Sequence, residues 1–424
     1  MASQRRVPIL ACVLTLALLI LPAAAASAAS LSSRLAASMR PAGGSSGAYV
    51  VNATSGKPVF RYRHTTPRVL ASNTKLFTTS AALARYGTAA RLATEVRGTG
   101  ALDTEGTYSG SLYLVGGGDP SFGSGGFARR AYGGGGSVET LASRLKAIGV
   151  RSVTGRIYGD ESKFDSLRGG PDSRYRISPY VGPVSGLAYN RGLASENGRG
   201  YQANPPAFAA ASLDAALSRA GVAVRGAPRA ARTPAGAAPL VKTESPTMAK
   251  LARLTNKPSD NFFAEMLVKD LALQAGGKGT TRGGARLAAA FAKRLGGGPR
   301  SLADGSGLSR GNQASPYRVA RLLQGMRGRD EFPAFFDSLS VAGRDGTLRT
   351  RLRGGAARGR CRGKTGTLSG VSAVSGYCTA LSGDVYVFSI LMNGVNPSGA
   401  RGLQDRMLQA IAGVSRQPAS TETG

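Results

Sequence analysis

The chain has 424 residues, and its 55 Lys and Arg residues outnumber 23 Asp and Glu residues, which gives a net charge of +32. At roughly 100 to 200 residues per domain, this length predicts two or three domains. The charge is dispersed and the chain contains no Trp, so the basic, aromatic-rich stretch typical of nucleic-acid-binding proteins is missing. We expect no nucleic-acid partner, and interpret the charge either as attraction to an anionic polymer or membrane or as an ordinary solvated surface.

The single histidine, His64, excludes several kinds of site. An H-E-x-x-H zinc site needs two histidines, and a Ser-His-Asp triad would have to use this one residue. His64 lies in the polar segment RYRHTTPR, where we expect it to be exposed. A serine enzyme built from this chain would therefore use lysine as its base, and we expect no metal and no organic cofactor.

Residues 1–28 have the features of a secretory signal peptide. Two arginines precede an apolar run at 7–21, and the small residues at 26–28 offer a cleavage site. The run is too short for a membrane-spanning helix, which needs about 20 apolar residues. Cys12 lies at the start of the run rather than after it, so lipid anchoring is not expected. The sequence predicts a secreted, extracytoplasmic protein that is soluble after signal cleavage.

The rest of the chain shows strand-like runs at both ends and helical periodicity between them. This arrangement predicts one α/β domain formed by residues 29–95 and 240–415, interrupted by a mainly β/α inserted domain at 96–239. Residues 416–424 are expected to form a disordered tail. The predicted elements are a hairpin of Tyr49–Asn52 and Val59–Tyr62, a helix at Ser72–Tyr86, helices after Pro246, strands at Gly363–Leu368, Val371–Thr379 and Val385–Asn393, and a helix at Leu403–Ile411.

The stretch ASNTKLFTTSAAL places Ser72 three residues before Lys75, so both side chains lie on one side of a helical turn. The helix that follows is apolar on nearly every face and should be buried, which would desolvate Lys75 and lower its pKa. A serine beside such a lysine is a candidate nucleophile. The same spacing recurs at Ser143 and Lys146, where the apolar stripe leaves both residues facing solvent. For a single S-x-x-K, the alternative is a serine near a helix start with a solvated lysine.

Two further motifs offer the groups that such a serine would need. Ser259-Asp260-Asn261 begins a predicted helix and presents a hydroxyl and an amide two residues apart. Lys364-Thr365-Gly366-Thr367 presents an ammonium group and hydroxyls on a strand whose glycine permits close approach of a ligand. Each motif also has a purely structural interpretation, with Ser259 as a helix cap and Lys364 as a charge on an edge strand.

The order S-x-x-K, S-x-N, K-T-G resembles that of the penicillin-recognising serine enzymes. Longer stretches, YLVGGGDPSF, NKPSDNFFAE, DGSGLSRGN, VAGRDGTLRTR and GKTGTLSGVSAVSGY, are similar to those of class C low-molecular-mass penicillin-binding proteins. These form the D-alanyl-D-alanine carboxypeptidase/endopeptidase family of serine peptidases, S13. The resemblance runs from Tyr49 to Asn393 and implies a penicillin-binding/β-lactamase-like transpeptidase fold, in which helices flank an antiparallel sheet.

The resemblance also implies catalytic roles for the matching residues. Ser72 would be the acyl nucleophile and Lys75 its base, and Ser259 and Asn261 would relay a proton and position the substrate. The oxyanion hole would use the backbone N–H groups of Ser72 and Thr367. The implied activity is serine-type D-Ala-D-Ala carboxypeptidase, with endopeptidase activity as an addition, through an acyl-serine intermediate.

A second set of implied roles concerns ligands. The K-T-G strand would bind the substrate carboxylate through Lys364, Thr365, Gly366 and Thr367. The implied substrates are peptidoglycan stem peptides ending in D-Ala-D-Ala, and β-lactams would be covalent inhibitors. Separately from the resemblance, an anionic cell-wall polymer is one of the interpretations of the positive charge in an exported protein, beside a membrane surface and an ordinary solvated surface.

Two other functions are compatible with this fold. A class A β-lactamase needs a glutamate in an E-x-x-L-N setting, and neither Glu265 nor Glu331, the only glutamates between Ser259 and Lys364, has that context. A β-lactam acyl-enzyme should therefore be long-lived. A non-catalytic cell-wall-binding protein would not need the intact motifs.

Cys361 and Cys378 are the two cysteines that remain after signal removal, and an exported protein is expected to oxidise such a pair. If Ser369-Gly370 forms a two-residue hairpin turn, the cysteines face each other as a non-hydrogen-bonded pair. Their Cα atoms would lie about 4.5 Å apart, at the short edge of the range that a disulfide bridges. Cys361 is an odd number of residues from Lys364, so the bridge would lie on the opposite face of the strand. The alternative is two reduced, partly buried thiols. A turn of three residues would shift the strand register, and the two cysteines would then no longer lie opposite each other.

Overall fold

The computed structural model of the protein describes residues 30–416, so the expected signal peptide and residues 417–424 of the expected tail lie outside the described residues. The helices are α1 Leu31–Met39, α2 Thr74–Tyr86, α3 Gly125–Tyr132, α4 Val138–Ala147, α5 Pro205–Arg219, α6 Met248–Asn256, α7 Asn261–Gln274, α8 Thr281–Arg294, α9 Pro316–Arg327, α10 Phe332–Ser338 and α11 Pro397–Ala412. The strands are β1 Ser46–Asn52, β2 Pro58–Tyr62, β3 Arg68–Val69, β4 Ala93–Gly98, β5 Ala101–Leu102, β6 Thr107–Ser109, β7 Leu112–Val115, β8 Ser152–Asp160, β9 Ala223–Ala230, β10 Ala238–Glu244, β11 Gln313–Ala314, β12 Ser340–Val341, β13 Cys361–Leu368, β14 Val371–Thr379 and β15 Val385–Asn393.

The first sheet is antiparallel, with strand order β12-β13-β14-β15-β1-β2. Its central strands are apolar on both faces because helices cover both. Val387 and Leu391 pack into a core shared with α2 and α7, whereas the alternate residues Phe388 and Ile390 pack into a core shared with α1 and α11. The predicted fold, an antiparallel sheet flanked by helices, is confirmed.

The second sheet is mixed, because β8 runs parallel to β6, β7 and β9. Its strands all lie between Ala93 and Glu244, a few residues beyond each end of the segment 96–239 that we interpret as an insertion. Helices α4 and α5 cover one face of this sheet, where Leu145 and Leu213 meet Ile157 in a third core. We call this part of the chain, residues 93–244, the second-sheet region.

Strand β13 pairs with β14 across a two-residue turn, with Leu368 opposite Val371. In this register Cys361 lies opposite Cys378, as the arithmetic of a two-residue turn predicts. The structure joins the two buried sulfurs at 2.03 Å, with Cα atoms 4.0 Å apart.

Several elements differ from those predicted. Helix α2 begins at Thr74 rather than Ser72, because Ala71–Asn73 forms a separate 3₁₀ turn. Helix α1 was not predicted, although Ser30 caps it by accepting a hydrogen bond from the backbone N–H of Ser33. Within residues 30–416, none of the helices is both long and apolar enough to cross a membrane. The same residues contain no cluster of three or more His, Cys, Asp or Glu side chains suited to a metal ion.

Candidate active site

Helix α2 fixes the geometry of Ser72 and Lys75. The residues from Thr74 to Leu83 are all buried, so the helix runs through the core and its first turn lies at the core's edge. Ser72, in the 3₁₀ turn just before the helix, remains partly exposed, whereas Lys75 is 0% exposed. Ala71, which precedes the serine, has a left-handed φ of 46°. A strained residue directly before Ser72 is typical of a turn held in place by its surroundings.

The Lys75 amine is held by three oxygen atoms. Its Nζ lies 3.1 Å from Ser72 Oγ, 2.7 Å from Asn261 Oδ1 and 2.6 Å from the backbone carbonyl oxygen of Ser306. The amide and carbonyl oxygens can only accept hydrogen bonds. A neutral lysine that donates its two protons to these oxygens therefore directs its lone pair at Ser72.

Burial increases the neutral fraction of Lys75, which is the form that can accept a proton. Desolvation lowers the pKa of Lys75 to about 8, and the carboxylates of Asp304, Asp260 and Glu265 limit the fall because they favour the charged form. Burial also raises the pKa of Glu265 to about 8. A substantial fraction of Lys75 is therefore neutral near pH 8.

The S-x-N motif lies at the start of α7. Ser259 has a left-handed φ of 64°, and Asp260, not Ser259, is the residue that caps the helix, by accepting a hydrogen bond from Phe263 N at 2.9 Å. The structural interpretation of Ser259 as a cap is therefore wrong. Its hydroxyl instead accepts a hydrogen bond from Lys364 Nζ at 2.8 Å.

Lys364 connects the K-T-G strand to the S-x-N motif through its side chain and to the turn that carries Ser72 through its backbone. Its side chain is 0% exposed and also donates to the carbonyl oxygen of Thr365 at 2.8 Å. Burial and the nearby charge of Lys75 hold the pKa of Lys364 well below its usual value. Asn73 Nδ2 donates to the backbone oxygen of Lys364 at 3.1 Å, which ties this strand to the turn that carries Ser72. The five motif side chains thus form two hydrogen-bonded groups, Ser72–Lys75–Asn261 and Ser259–Lys364, which are joined through the S-x-N backbone and the Asn73 bond.

The backbone of β13 approaches Ser72 closely at Gly366. A Cβ atom on Gly366 would lie 2.9 Å from the oxygen of Leu70 and 3.0 Å from the nitrogen of Ser72, so a larger residue would push the strand away. Thr367 pairs with Ser372 at a non-hydrogen-bonded position of the hairpin, so its N–H points away from β14. The N–H groups of Ser72 and Thr367 are therefore on neighbouring segments of backbone.

Three contacts of this site escaped the sequence analysis. The Ser306 carbonyl oxygen binds Lys75, and the Tyr180 carbonyl oxygen accepts from Asn261 Nδ2 at 3.0 Å. Arg191 forms an ion pair with Asp260 at 2.6 Å. Backbone carbonyl groups carry no residue-type signal, although Ser306 lies within the quoted stretch DGSGLSRGN.

His64 is half-buried rather than exposed, which corrects the expectation from its polar neighbours. Its ring stacks on Tyr49, with 5.4 Å between ring centroids, and meets the edge of Tyr317. The hydrogen bonds of Ser72 and Lys75 described above do not involve His64. The amine that contacts the Ser72 hydroxyl belongs to a lysine.

Helices on both faces of an antiparallel sheet, with a serine and a buried lysine at the start of a core helix, are the arrangement that the resemblance to the penicillin-recognising serine enzymes implies. The crystal structure of penicillin-binding protein 4 (dacB) from Haemophilus influenzae has the same fold, with a TM-score of 0.75 at 19% identity. The superposition covers 88% of this chain and 97% of that one.

Sequence comparison narrows the class to a family. The family model described as the D-Ala-D-Ala carboxypeptidase 3 (S13) family matches residues 27–203 and 199–414, and the chain belongs to this family. A D-alanyl-D-alanine carboxypeptidase of Actinomadura sp. (strain R39) is 30% identical over 87% of this chain and 81% of its own length. Carboxypeptidase DacB of Mycolicibacterium smegmatis is 27% identical over 87% and 79%. The predicted family and its enzyme class, serine D-Ala-D-Ala carboxypeptidase, are confirmed.

Proposed function

We propose that the protein releases the terminal D-alanine from peptidoglycan stem peptides ending in D-Ala-D-Ala, through an acyl intermediate on Ser72. The observation that carries this proposal is the 3.1 Å contact between Lys75 Nζ and Ser72 Oγ, made by a fully buried lysine whose pKa is lowered to about 8. Serine alone is a weak nucleophile, and it needs a neighbouring base that is neutral at the working pH.

In the acylation step, Ser72 Oγ attacks the carbonyl carbon of the penultimate D-alanine while its proton passes to Lys75 Nζ. The oxyanion that forms accepts hydrogen bonds from the backbone N–H groups of Ser72 and Thr367. Asn261 Oδ1 and the Ser306 carbonyl oxygen keep the Lys75 amine oriented throughout, because each already accepts one of its protons.

The C–N bond then breaks, and the leaving amine needs a proton. Ser259 is the candidate donor: it gives its proton to the nitrogen and takes a replacement from Lys364 Nζ, which already donates to its oxygen, and the proton that Lys75 accepted from Ser72 then restores Lys364. D-alanine departs, and water hydrolyses the ester on Ser72 with the same groups acting in reverse. Each proton transfer uses this chain's own residues or water.

The substrate carboxylate would lie against Lys364, Thr365 and Thr367. A buried lysine whose pKa is depressed gains most from an anion that restores its charge, so this carboxylate and Lys364 stabilise each other. A cross-linked peptide whose scissile nitrogen lies beside a free carboxylate presents the same anchor, and endopeptidase activity on such peptides is part of the proposal.

β-Lactams would acylate Ser72 by the same route. The leaving nitrogen stays tethered within the opened ring, so it does not diffuse away as D-alanine does. Glu265 is buried, and its Oε1 accepts hydrogen bonds from the backbone N–H groups of Gly305 and Ser306, so we interpret it as a structural group rather than the base for a deacylating water. We therefore infer a long-lived penicilloyl-enzyme rather than β-lactamase turnover.

We also infer that the protein acts outside the cytoplasm, since residues 1–28 have the pattern of a signal peptide and the proposed substrate is a cell-wall peptide. The net charge of +32 suits association with an anionic cell-wall polymer. Cosedimentation of the purified protein with cell walls at low and high salt tests this association, which should weaken as salt screens the charge.

The proposed function is tested by D-alanine release and by labelling with a fluorescent penicillin. The wild-type protein should release one D-alanine per peptide and retain the label through denaturing electrophoresis, whereas Ser72→Ala should do neither. Rapid loss of the label with turnover would indicate a β-lactamase, and folded wild-type protein without label or activity would indicate a non-catalytic wall-binding protein. Cleavage of cross-linked peptide dimers, compared with the release of D-alanine, measures the contribution of endopeptidase activity.

A further inference from the structure

The second-sheet region contacts the catalytic cluster through the side chain of Arg191. Two hydrogen bonds join its guanidinium group to the carboxylate of Asp260, from Nη1 to Oδ2 at 2.6 Å and from Nη2 to Oδ1 at 3.2 Å. Paired bonds of this kind fix orientation as well as distance. Asp260 lies between Ser259 and Asn261, so the bond holds the residue that connects two catalytic side chains.

The surroundings of Arg191 hold it in this position. Its guanidinium carbon lies over the rings of Phe262 and Phe263, at 5.1 and 5.8 Å from their centroids, and the Arg191 and Asp260 side chains are only 27% and 17% exposed. Arg191 and the preceding Asn190 both have left-handed φ angles, 60° and 47°. Such strain persists only where the surrounding structure over-determines the backbone.

The backbone on either side of Arg191 is anchored within the second-sheet region. Asn190 Oδ1 accepts a hydrogen bond from Ser124 N at 2.9 Å. The buried Gln202 side chain donates to the carbonyl oxygens of Tyr189 and Leu193 at 2.8 and 2.7 Å. The loop is therefore pre-formed, and its arginine meets Asp260 without further ordering.

A second contact from the same region acts on Asn261. Its Nδ2 donates to the Tyr180 carbonyl oxygen, which leaves Oδ1 as the atom that faces Lys75. If the amide rotated by half a turn, an N–H group would face the lysine amine instead. The second-sheet region thus sets both the position of the S-x-N segment and the orientation of its amide.

We propose that Arg191 is a positioning residue for acylation: through Asp260 it holds Ser259 against Lys364 and Asn261 against Lys75, and it neutralises the Asp260 charge beside Lys75. This inference rests on the proposed function, because the step it supports is the attack of Ser72.

The charged groups around Lys75 determine how the pH dependence of acylation should change if Arg191 has this role. The charged groups facing Lys75 are Asp260 and Glu265 of the α7 segment, Asp304 of the loop before α9, and Lys364 of β13. Acylation needs neutral Lys75, so its rate should rise with pH through about 8 in the wild-type protein. Without Arg191, the uncompensated Asp260 carboxylate stabilises charged Lys75 and moves this rise to higher pH.

The experiment measures the rate of labelling by a fluorescent penicillin from pH 6 to 10. Arg191→Met should lower the rate at pH 7 roughly tenfold and move the rising limb up by roughly one pH unit, as expected for one uncompensated charge nearby. Asp260→Asn should move the limb down, and it keeps the helix cap because Asn caps helices as well as Asp does. In the double variant the limb should return towards that of the wild-type protein.

Arg168→Met is the matched control. Arg168 forms an ion pair with Glu161 in the same region, with side chains 20% and 19% exposed, and neither residue belongs to the catalytic cluster. Loss of this ion pair should change the thermal stability, but the pH range over which the labelling rate rises should stay the same. If Arg191→Met does not fold, Arg191→Lys keeps the charge but not the paired geometry, and it should slow labelling with little shift of the limb.

An unchanged pH limb in both folded Arg191→Met and Asp260→Asn, with labelling rates near that of the wild-type protein, would overturn the inference. So would an equal shift in the Arg168→Met control. A wild-type protein that is not labelled at all would overturn the proposed function together with this inference, so the two failures are distinguishable.

Discussion

Two S-x-x-K pairs occur in this chain, and the structure places them in opposite surroundings. Ser143 and Lys146 lie on the exposed face of α4, and the Lys146 ammonium donates to the Ala220 carbonyl oxygen at the surface. Lys75 is buried, with two fixed acceptors and a serine hydroxyl around its amine. The pattern of residues is identical, so burial and the surrounding acceptors, not spacing, distinguish the candidate base Lys75 from the solvated Lys146.

The largest effect in this comparison is expected from removing each lysine in turn. Lys75→Ala should lower the rate of acylation by a factor on the order of 10⁴, because the nucleophile and its base act as a unit. Lys146→Ala should leave the rate within about twofold, as is usual for surface substitutions. Penicillin labelling of both folded variants measures the difference, and comparable rates would refute the assignment of Lys75 as the base.

An intermediate effect is expected from Lys364, on the K-T-G strand beside the pair Ser72 and Lys75. Lys364→Ala should reduce kcat/KM roughly 100-fold for peptides with a free terminal carboxylate, the size typical of removing one partner of a buried charge pair. Amidated peptides should lose less, since they carry no charge at this position. Equal losses on both substrates would contradict the carboxylate anchor and point instead to an electrostatic effect on Lys75.

The smallest effect on activity is expected from the cysteines of the same strand. Replacing both Cys361 and Cys378 by Ala should lower the free energy of unfolding by about 3 kcal/mol, as expected for opening a loop of this length. Acylation should change little, because Cys361 and Lys364 point to opposite faces of the strand. Denaturant unfolding measures the first effect. Two free thiols per chain in denatured, unreduced protein would show that the bridge does not form.

The sequence predicted those parts of the fold that have strong periodicity. Strands Val371–Thr379 and Val385–Asn393 have the predicted bounds, because their apolar residues are bracketed by turns. Helix α1 was missed because its Ser-rich stretch follows the apolar run at 7–21 and carries only a weak apolar stripe. Ser72 and Asn73 fall within the predicted helix Ser72–Tyr86 but lie in the 3₁₀ turn, because the sequence does not reveal the positive φ of Ala71.

The candidate site likewise contains some residues that the sequence predicts and others that it does not. Side chains within short motifs, such as Ser72 and Lys75, were identifiable because their chemistry and spacing are visible in the sequence. The Ser306 carbonyl oxygen was not, since every residue has a carbonyl group and only the fold selects one. Arg191 and Asp260 are 69 positions apart, and nothing local to either residue indicates the other.

The pairing of β1 with β15 has a consequence for the way the chain folds. Residues 46–52 meet residues 386–392, and the hydrogen-bonded residues Asn73 and Lys364 are 291 positions apart. Contacts of such long range form slowly, because a large loop must close before they contribute stability. The second sheet draws its strands from a single stretch of the chain and is able to form earlier. Assembly of Ser72 with Lys75 and Lys364 therefore waits for the last strand, so a chain synthesised only as far as β14 should carry no hydrolytic activity.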